Sequence, residues 1–174
     1  MPVVLITEDG TGRSDANTYV SLTEANAYFE ARVSASAWTN ATDDEKKVAL
    51  VHACRILDSY VAWIGYPSST DQALEWPRAF VSYEKSGFEY FVDSDEIPAR
   101  VKDAQCELAL IMLSGDIQKV PDTAGFSSIS IAGAISLVVD RATQQHVIPD
   151  VVWNIIQYLG ARIGGGASVA LCRG

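Results

Sequence analysis

Apolar side chains recur every three or four positions in four segments of the chain, the spacing that gives a helix one apolar face. The first two segments begin at SLTE and TDDE, where a serine or threonine is followed three positions later by glutamate. That spacing forms a capping box at a helix start. The other two begin at Pro98 and Pro149, since proline is tolerated in the first turn of a helix. The pattern therefore predicts helices over about 21–33, 42–63, 98–118 and 149–163.

Two segments have the composition of strands. Residues 3–7 are a short β-branched run, and residues 127–140 alternate about an Ala-Gly pair, which predicts a β-hairpin. Residues 80–96 are aromatic and acidic, and a long loop with little regular structure is expected there. The predicted fold class is mainly α: a small bundle of about four helices with a short N-terminal strand and a hairpin near 127–140. One domain, residues 1–163, is expected, followed by a glycine-linked tail, 164–174.

The stretch QALEWPR, residues 72–78, places a tryptophan directly before a proline and an arginine after it. Proline disfavours helical geometry in the residue before it, so a short helical turn over 71–76 is expected to end at Trp76. A tryptophan at such a bend is typically a large apolar anchor whose indole N–H finds a partner nearby. We therefore expect Trp76 to anchor a bend of the chain in the core.

Composition places the 174-residue chain among ordinary globular proteins, with 48% hydrophobic and 20% charged residues. Its 13 basic and 22 acidic residues give a net charge of −9, and the basic residues are scattered, which disfavours a tight nucleic-acid binder. No apolar run approaches the length of a membrane span, and the first residues lack a signal-peptide pattern. We expect a soluble protein made in the cytoplasm, with no membrane partner.

Residues that could carry chemistry are sparse. The two histidines lie in a helical pattern (His52) and in a polar stretch (His146), and no nucleophile elbow, phosphate-binding loop or dinucleotide fingerprint is present. The three cysteines share no short spacing, which disfavours a disulfide framework and a zinc site. Acidic clusters at 43–45 and 93–96 precede or begin predicted helices, where they suit the helix dipole. The sequence predicts no enzyme, no metal and no cofactor.

Two elements are not needed for a helical core. Apolar residues follow the triple glycine at 164–166, which suits a segment that orders on a partner but also a frayed terminus. The hairpin at 127–140 either lies against a neighbour or covers one end of the bundle. Both alternatives stay open for each element.

Four pieces in order, EDGTG…DANTYVSLTEANAYF, TDDEKKVALVHACRILD, QALEWPR and IPARVKDAQCELAL, resemble the head–tail connector proteins of tailed phages. These are also called adaptor or head-completion proteins, and similar chains are often labelled DnaT-like single-stranded-DNA-binding proteins. The resemblance covers about residues 5–120. It implies a structural virion protein in the neck of the particle, forming a ring, usually twelve-fold, between the portal protein and a tail or neck (stopper or tail-terminator) protein. Genome DNA would pass through this ring without specific binding, and a net acidic lining would help it slide.

The resemblance also implies roles for individual residues. Trp76 would lock the turn against the bundle, Pro77 would set its exit, and Arg78 would be free for a carboxylate or a neighbouring subunit. The candidate portal or subunit contacts come from the aromatic segment, the hairpin and the tail. They are Phe88, Tyr90, Phe91, Ile129, Ile131, Val169, Ala170, Leu171 and Arg173.

The alternative function is a single-stranded-DNA-binding module, in which aromatic side chains stack on bases. The residues available are Tyr83, Phe88, Tyr90 and Phe91, near Lys85. Acidic side chains in the same segment argue against it, because they repel the phosphate backbone. They are Glu84, Glu89, Asp93, Asp95 and Glu96.

Overall fold

A computed structural model describes residues 2–115, 128–131, 135–138 and 147–163, and in these residues the fold mixes helices with small antiparallel sheets. The five helices are α1 (Leu22–Glu30), α2 (Ser36–Asn40), α3 (Asp43–Tyr60), α4 (Ala99–Ser114) and α5 (Asp150–Ile156). The eight strands are β1 (Val61–Trp63), β2 (Tyr66–Pro67), β3 (Arg78–Ala79), β4 (Val81–Lys85), β5 (Phe88–Val92), β6 (Ser128–Ile131), β7 (Ile135–Val138) and β8 (Gly160–Arg162). The prediction of a mainly α bundle was therefore wrong: the fold is mixed α/β.

Both predicted capping boxes begin helices. The Ser21 hydroxyl accepts from the backbone N–H of Glu24 at 3.2 Å, and the Glu24 carboxylate accepts from the N–H of Ser21 at 2.8 Å. Thr42 and Glu45 exchange the same two bonds at the start of α3. Each pair satisfies backbone donors that have no partner within a helix.

Helices α3 and α4 form the centre of the core, and α5 packs on α4. Leu50 and Leu57 of α3, Leu108 of α4 and Ile156 of α5 are fully buried. The short helix α2 was not predicted, because five residues are too few to show a helical period. Its Trp38 is buried with its ring 4.5 Å from that of Phe29.

Two predicted helices end early because their last residues pair with each other. The antiparallel pair β1–β8 matches Val61 with Arg162 and Trp63 with Gly160, and so joins the end of α3 to the chain that follows α5. Gly160 is required there, since a Cβ would lie 2.7 Å from the carbonyl oxygen of Ala62. The strand segment 61–63 and the strand 160–162 were predicted as helix, and this part of the prediction was wrong.

The predicted N-terminal strand is reduced to one parallel bridge between Thr7 and Thr18. After it, the loop folds around Glu8, whose side chain is almost entirely buried. The Glu8 carboxylate accepts from the backbone N–H groups of Gly10, Gly12 and Arg13 at 3.0, 2.9 and 2.7 Å. The EDGTG sequence thus forms a turn built on its own glutamate, with its charge held by backbone donors.

Segment 127–140 does contain the two antiparallel strands β6 and β7, with Ser128 opposite Val138 and Ile131 opposite Ile135. By contrast, the loop predicted over 80–96 was wrong, because most of it is the hairpin of β4 and β5. Ser86 and Gly87, with φ of 56° and 80°, form its two-residue turn. Two positive φ values are what a tight hairpin turn requires.

The bend at QALEWPR is buried but not helical. Residues 71–76 form bends without a helical turn, and the Trp76–Pro77 peptide bond is cis. Trp76 is fully buried, and its ring meets the Trp63 ring edge-on, with 5.7 Å between centroids. The expected partner for its indole N–H is not found among the described residues.

Arg78, expected to be free for a carboxylate or a neighbouring subunit, is buried and bonded within its own chain, with the carboxylate of Glu75 among its partners. Its Nε donates to the carbonyl of Ile64 at 2.8 Å, and its Nη2 donates to the carbonyl of Gly65 at 2.7 Å. Its Nη1 donates to both the carbonyl and the carboxylate of Glu75. The guanidinium therefore connects the bend to the chain after β1, because its several N–H groups can donate to carbonyl oxygens of both segments at once.

Candidate functional site

The β4–β5 hairpin carries three exposed aromatic side chains, Phe88, Tyr90 and Phe91, together with the basic side chain of Lys85. Its register places Val81 opposite Val92, Ser82 opposite Phe91, Tyr83 opposite Tyr90, Glu84 opposite Glu89 and Lys85 opposite Phe88. Successive side chains of a strand point to opposite faces, so these five pairs divide between two faces.

One face, here called the aromatic face, is formed by three of these pairs and has no acidic residue. It consists of Val81, Tyr83, Lys85, Phe88, Tyr90 and Val92. The other, the acidic face, consists of Ser82, Glu84, Glu89 and Phe91. The alternation of the strands therefore separates Glu84 and Glu89 from Lys85, although all three lie within a few residues in the sequence.

The aromatic face is anchored at one end and exposed at the other. Val81 is buried, whereas Phe88 is 68% and Tyr90 is 43% exposed. The ring of Tyr83 lies nearly parallel to that of Tyr90, 5.3 Å away, and 6.2 Å from that of Tyr158, which follows α5. Three tyrosine rings thus form a row that begins beside Phe88 and ends at the body of the protein.

Two cations meet at the inner end of this row. The Lys85 ammonium lies 6.0 Å and the Arg100 guanidinium carbon 5.9 Å from the centre of the Tyr158 ring. Arg100, in the first turn of α4, also donates through Nη1 to the carbonyl of Ile155 at 3.0 Å. Within the described residues, neither cation forms an ion pair with a carboxylate.

The acidic residues at 93–96 belong to a separate turn that packs on the N-terminal loop. The Ser68 hydroxyl donates to the carbonyl of Ser94. The backbone of Asp95 lies against Gly10, where a Cβ would meet the Asp95 carbonyl oxygen at 2.0 Å. Asp93, Asp95 and Glu96 are therefore not part of the aromatic face. Their repulsion of a phosphate backbone bound to that face is weaker than their positions in the sequence indicate.

A second cluster of polar groups, around Asp58, forms hydrogen bonds that hold parts of the fold together. The Asp58 carboxylate accepts from the Tyr19 hydroxyl at 2.7 and 2.9 Å and from the backbone N–H of Glu75 at 3.2 Å. The Tyr19 oxygen in turn accepts from the N–H of Trp76 at 3.2 Å. Burial raises the pKa of Asp58 to about 6. The cluster holds the QALEWPR bend against α3.

The remaining predicted residues fall outside such clusters. Ile129 and Ile131 lie in β6, whereas Val169, Ala170, Leu171 and Arg173 lie outside the described residues. Cys54 and Cys106 are buried free thiols, and burial raises the pKa of both. In the described part of the chain no group of three histidine, cysteine or acidic side chains could hold a metal ion, and no helix is long and apolar enough to cross a membrane.

Sequence reasoning missed Tyr158 and Arg100 as members of the site. Both come from segments distant in sequence from the hairpin, and no local pattern signals that they meet. The hairpin itself had a local signal, the Ser86-Gly87 pair between two aromatic runs.

Comparison with known families finds a model that matches this chain. A family model described as "Putative DnaT-like ssDNA binding protein" matches residues 3–174, almost the whole chain. No curated protein and no solved structure matches the chain significantly.

This match overturns the connector interpretation. The family found is described as one of DnaT-like single-stranded-DNA-binding proteins, and not as one of phage head–tail connectors. The predicted role as a ring beneath a portal protein is therefore corrected. The four sequence pieces on which it rested have structural roles in the fold instead. The first forms a glutamate-centred turn and a capping box, the second a capping box, the third a buried bend, and the fourth the start of α4 after Pro98.

Proposed function

The chain belongs to the family of DnaT-like single-stranded-DNA-binding proteins, and from this premise we propose that it binds single-stranded DNA through the aromatic face of the β4–β5 hairpin. The observation that carries the location is the exposure of Phe88 and Tyr90 on a face that also holds Lys85 and no carboxylate. Proteins that bind single strands without sequence preference combine such aromatic platforms with nearby positive charge. Binding of this kind requires no catalytic chemistry from the protein.

The spacing of the rings favours a single strand over a duplex. Phe88 and Tyr90 are two positions apart on β5, which separates them by about 7 Å along the strand. Bases stacked within a duplex are about 3.4 Å apart. Bases resting on these two rings cannot therefore be stacked on each other. An extended single strand meets this condition without loss of base pairs.

Aromatic stacking also predicts a tolerance for sequence. Every base has a π-face, and stacking on phenylalanine or tyrosine involves no base-edge hydrogen bonds. The exposed part of the aromatic face offers two rings and one ammonium group, with few groups that could read a base edge. We therefore expect weak sequence preference.

The overall charge of −9 sets the strength of binding. A net acidic protein repels DNA at long range, so affinity has to come from short-range stacking and from the local cations. The proposed complex is accordingly of modest affinity, and it forms best at low salt because the contacts between the local cations and phosphate weaken as salt rises.

The test is fluorescence anisotropy with a labelled oligothymidine of about 15 nucleotides and a duplex of the same length at low salt. Phe88→Ala and Tyr90→Ala are each expected to weaken single-strand binding at least about fivefold, since one base–aromatic stack contributes about 1–3 kcal/mol. Phe91→Ala is the matched control. Phe91 lies on the same strand and is 75% exposed, but it belongs to the acidic face.

Two results would contradict the proposal. The wild-type protein binding neither oligonucleotide at low salt would remove the function. Phe91→Ala weakening binding as much as Phe88→Ala would remove the location, because the two faces would then be equivalent.

A further inference from the structure

Most basic side chains in the described part of this protein form an ion pair with a carboxylate. The described residues contain ten lysines and arginines, and seven of these form ion pairs. The three that do not are Arg55, Lys85 and Arg100. Two of these three, Lys85 and Arg100, lie at the same tyrosine ring.

The convergence involves three segments that are far apart in the chain. Lys85 ends β4, Arg100 lies in the first turn of α4, and Tyr158 follows α5. The carbonyl of Ile155 holds Arg100 through one nitrogen, which leaves other guanidinium donors for a ligand. A cation that is already positioned loses less entropy when it binds an anion.

The cation pair is continuous with the aromatic face. Lys85 lies directly opposite Phe88 in the hairpin, and Tyr158 contacts Tyr83, which stacks on Tyr90. A base on Phe88 therefore brings its sugar and phosphate close to Lys85. A strand that continues along the row of rings approaches Tyr158 and Arg100.

We propose that Lys85 and Arg100, gathered at Tyr158, bind the phosphodiester backbone of the single strand whose bases stack on Phe88 and Tyr90. This inference rests on the proposed function and identifies the side chains of the site that bind the backbone phosphates. Phosphate oxygens suit both groups, since a guanidinium forms paired hydrogen bonds with them and an ammonium acts as a point charge. Asp103, on the same helix, lies close enough to Arg100 for their charges to interact but does not form an ion pair with it.

The proposal makes a quantitative statement about salt. Each phosphate neutralised on a single strand contributes about −0.7 to the slope of log affinity against log salt concentration. Two cations therefore predict a slope of about −1.4, or a loss of about sevenfold in affinity between about 50 and 200 mM salt. A nucleic-acid binder with many basic contacts would show a much steeper slope.

The experiment measures that slope with the oligothymidine in the wild-type protein and in four variants. Lys85→Gln and Arg100→Gln are each expected to reduce its magnitude by about 0.7. Arg100→Lys keeps the charge and should keep the slope. Lys102→Gln is the matched control, because Lys102 lies on the same helix but pairs with Glu24 at 3.0 Å.

The outcomes separate this inference from the function on which it rests. If the wild-type protein binds no single strand, the proposed function fails. If it binds and Phe88→Ala weakens binding, but Lys85→Gln and Arg100→Gln leave the slope unchanged, the phosphate site is wrong and the function stands. An equal effect of Lys102→Gln would also overturn the site. A melting curve on each variant checks folding, and Lys85→Gln with Arg100→Lys still decides the question should Arg100→Gln fail to fold.

Discussion

A single carboxylate, that of Asp58, connects the buried Trp76 bend to helix α3. It accepts hydrogen bonds from the Tyr19 hydroxyl and from the Glu75 backbone, and the Tyr19 oxygen accepts from the Trp76 backbone. No cation forms an ion pair with Asp58 in the described residues, so burial dominates and raises its pKa to about 6. The residue therefore stabilises the bend by hydrogen bonding at the cost of holding a carboxylate away from water.

The raised pKa predicts an unusual pH dependence. The folded protein holds the Asp58 proton up to about pH 6, whereas the unfolded chain releases it near the ordinary aspartate pKa of 3.8. The stabilisation from this group is thus fully present below pH 3.8 and is lost as pH rises through about 6.

Asp58→Asn does not titrate. The free energy of unfolding of the wild type, relative to Asp58→Asn, should fall by up to about 2 kcal/mol between about pH 4.5 and 7. Urea unfolding of both proteins at the two pH values tests this, and a difference that does not change with pH would contradict it.

At the scale of elements, the hairpin of β4 and β5 decides where the candidate site lies. Its turn depends on Ser86 and Gly87, both at positive φ. Alternation along the strands then divides a segment of mixed aromatic, basic and acidic residues into two faces of different chemistry. The same residues in an irregular loop would not separate Lys85 from Glu84 and Glu89.

A substitution of Gly87 by alanine tests this turn. Among the described residues, no atom other than those of its two chain neighbours lies within 4 Å of a Cβ placed there, so the cost comes from the backbone, with φ at +80°. We expect a loss of about 1 kcal/mol, seen as a roughly fivefold faster hydrogen exchange of the β4 and β5 amides. Gly115→Ala is the control: its Cβ would also be in open space, but its φ of 164° is extended backbone. Equal effects of the two substitutions would show that the turn geometry does not limit the hairpin.

Local sequence patterns predicted the helix starts, where the first backbone N–H groups need hydrogen-bond partners. The boxes Ser21–Glu24 and Thr42–Glu45 identified two helix starts, because capping depends on neighbouring residues alone. The ends of α3 and α5 were not predictable in this way, since they are set by β1–β8 pairing between residues about 100 positions apart. The β4–β5 hairpin also has a local signal, the Ser86-Gly87 turn, but the acidic residues on both of its sides obscure the alternation of apolar positions in the sequence.

The residues of the candidate site also divide into those that local sequence indicates and those that only tertiary packing brings together. Phe88, Tyr90 and Lys85 were available from the sequence as a possible base-stacking surface, but their separation from the acidic residues requires the register of the hairpin. Tyr158 and Arg100 join the site through tertiary packing, and no sequence spacing relates them to β4 or β5.

At the scale of the whole molecule, global and local charge have opposite signs. The chain carries a net charge of −9, whereas the cluster at Tyr158 holds two cations that lack ion-pair partners among the described residues. Long-range repulsion acts on the approach of DNA, and it is screened within a Debye length of about 10 Å at 0.1 M salt. The contact between Lys85, Arg100 and phosphate acts only once the strand is bound.

The two effects of salt should therefore appear in different rate constants. Raising salt from about 20 to 200 mM is expected to increase the association rate modestly, because it screens the repulsion between an acidic protein and an acidic polymer. The dissociation rate should increase by a larger factor, because the phosphate contacts weaken, so that affinity falls overall. Stopped-flow fluorescence with a labelled oligothymidine separates the two rates.

A basic DNA-binding protein shows the opposite trend in association, being steered towards DNA most strongly at low salt. An association rate that falls as salt rises would mean that the field near Lys85 and Arg100 outweighs the net charge along the approach path, and the whole-molecule argument would then be wrong.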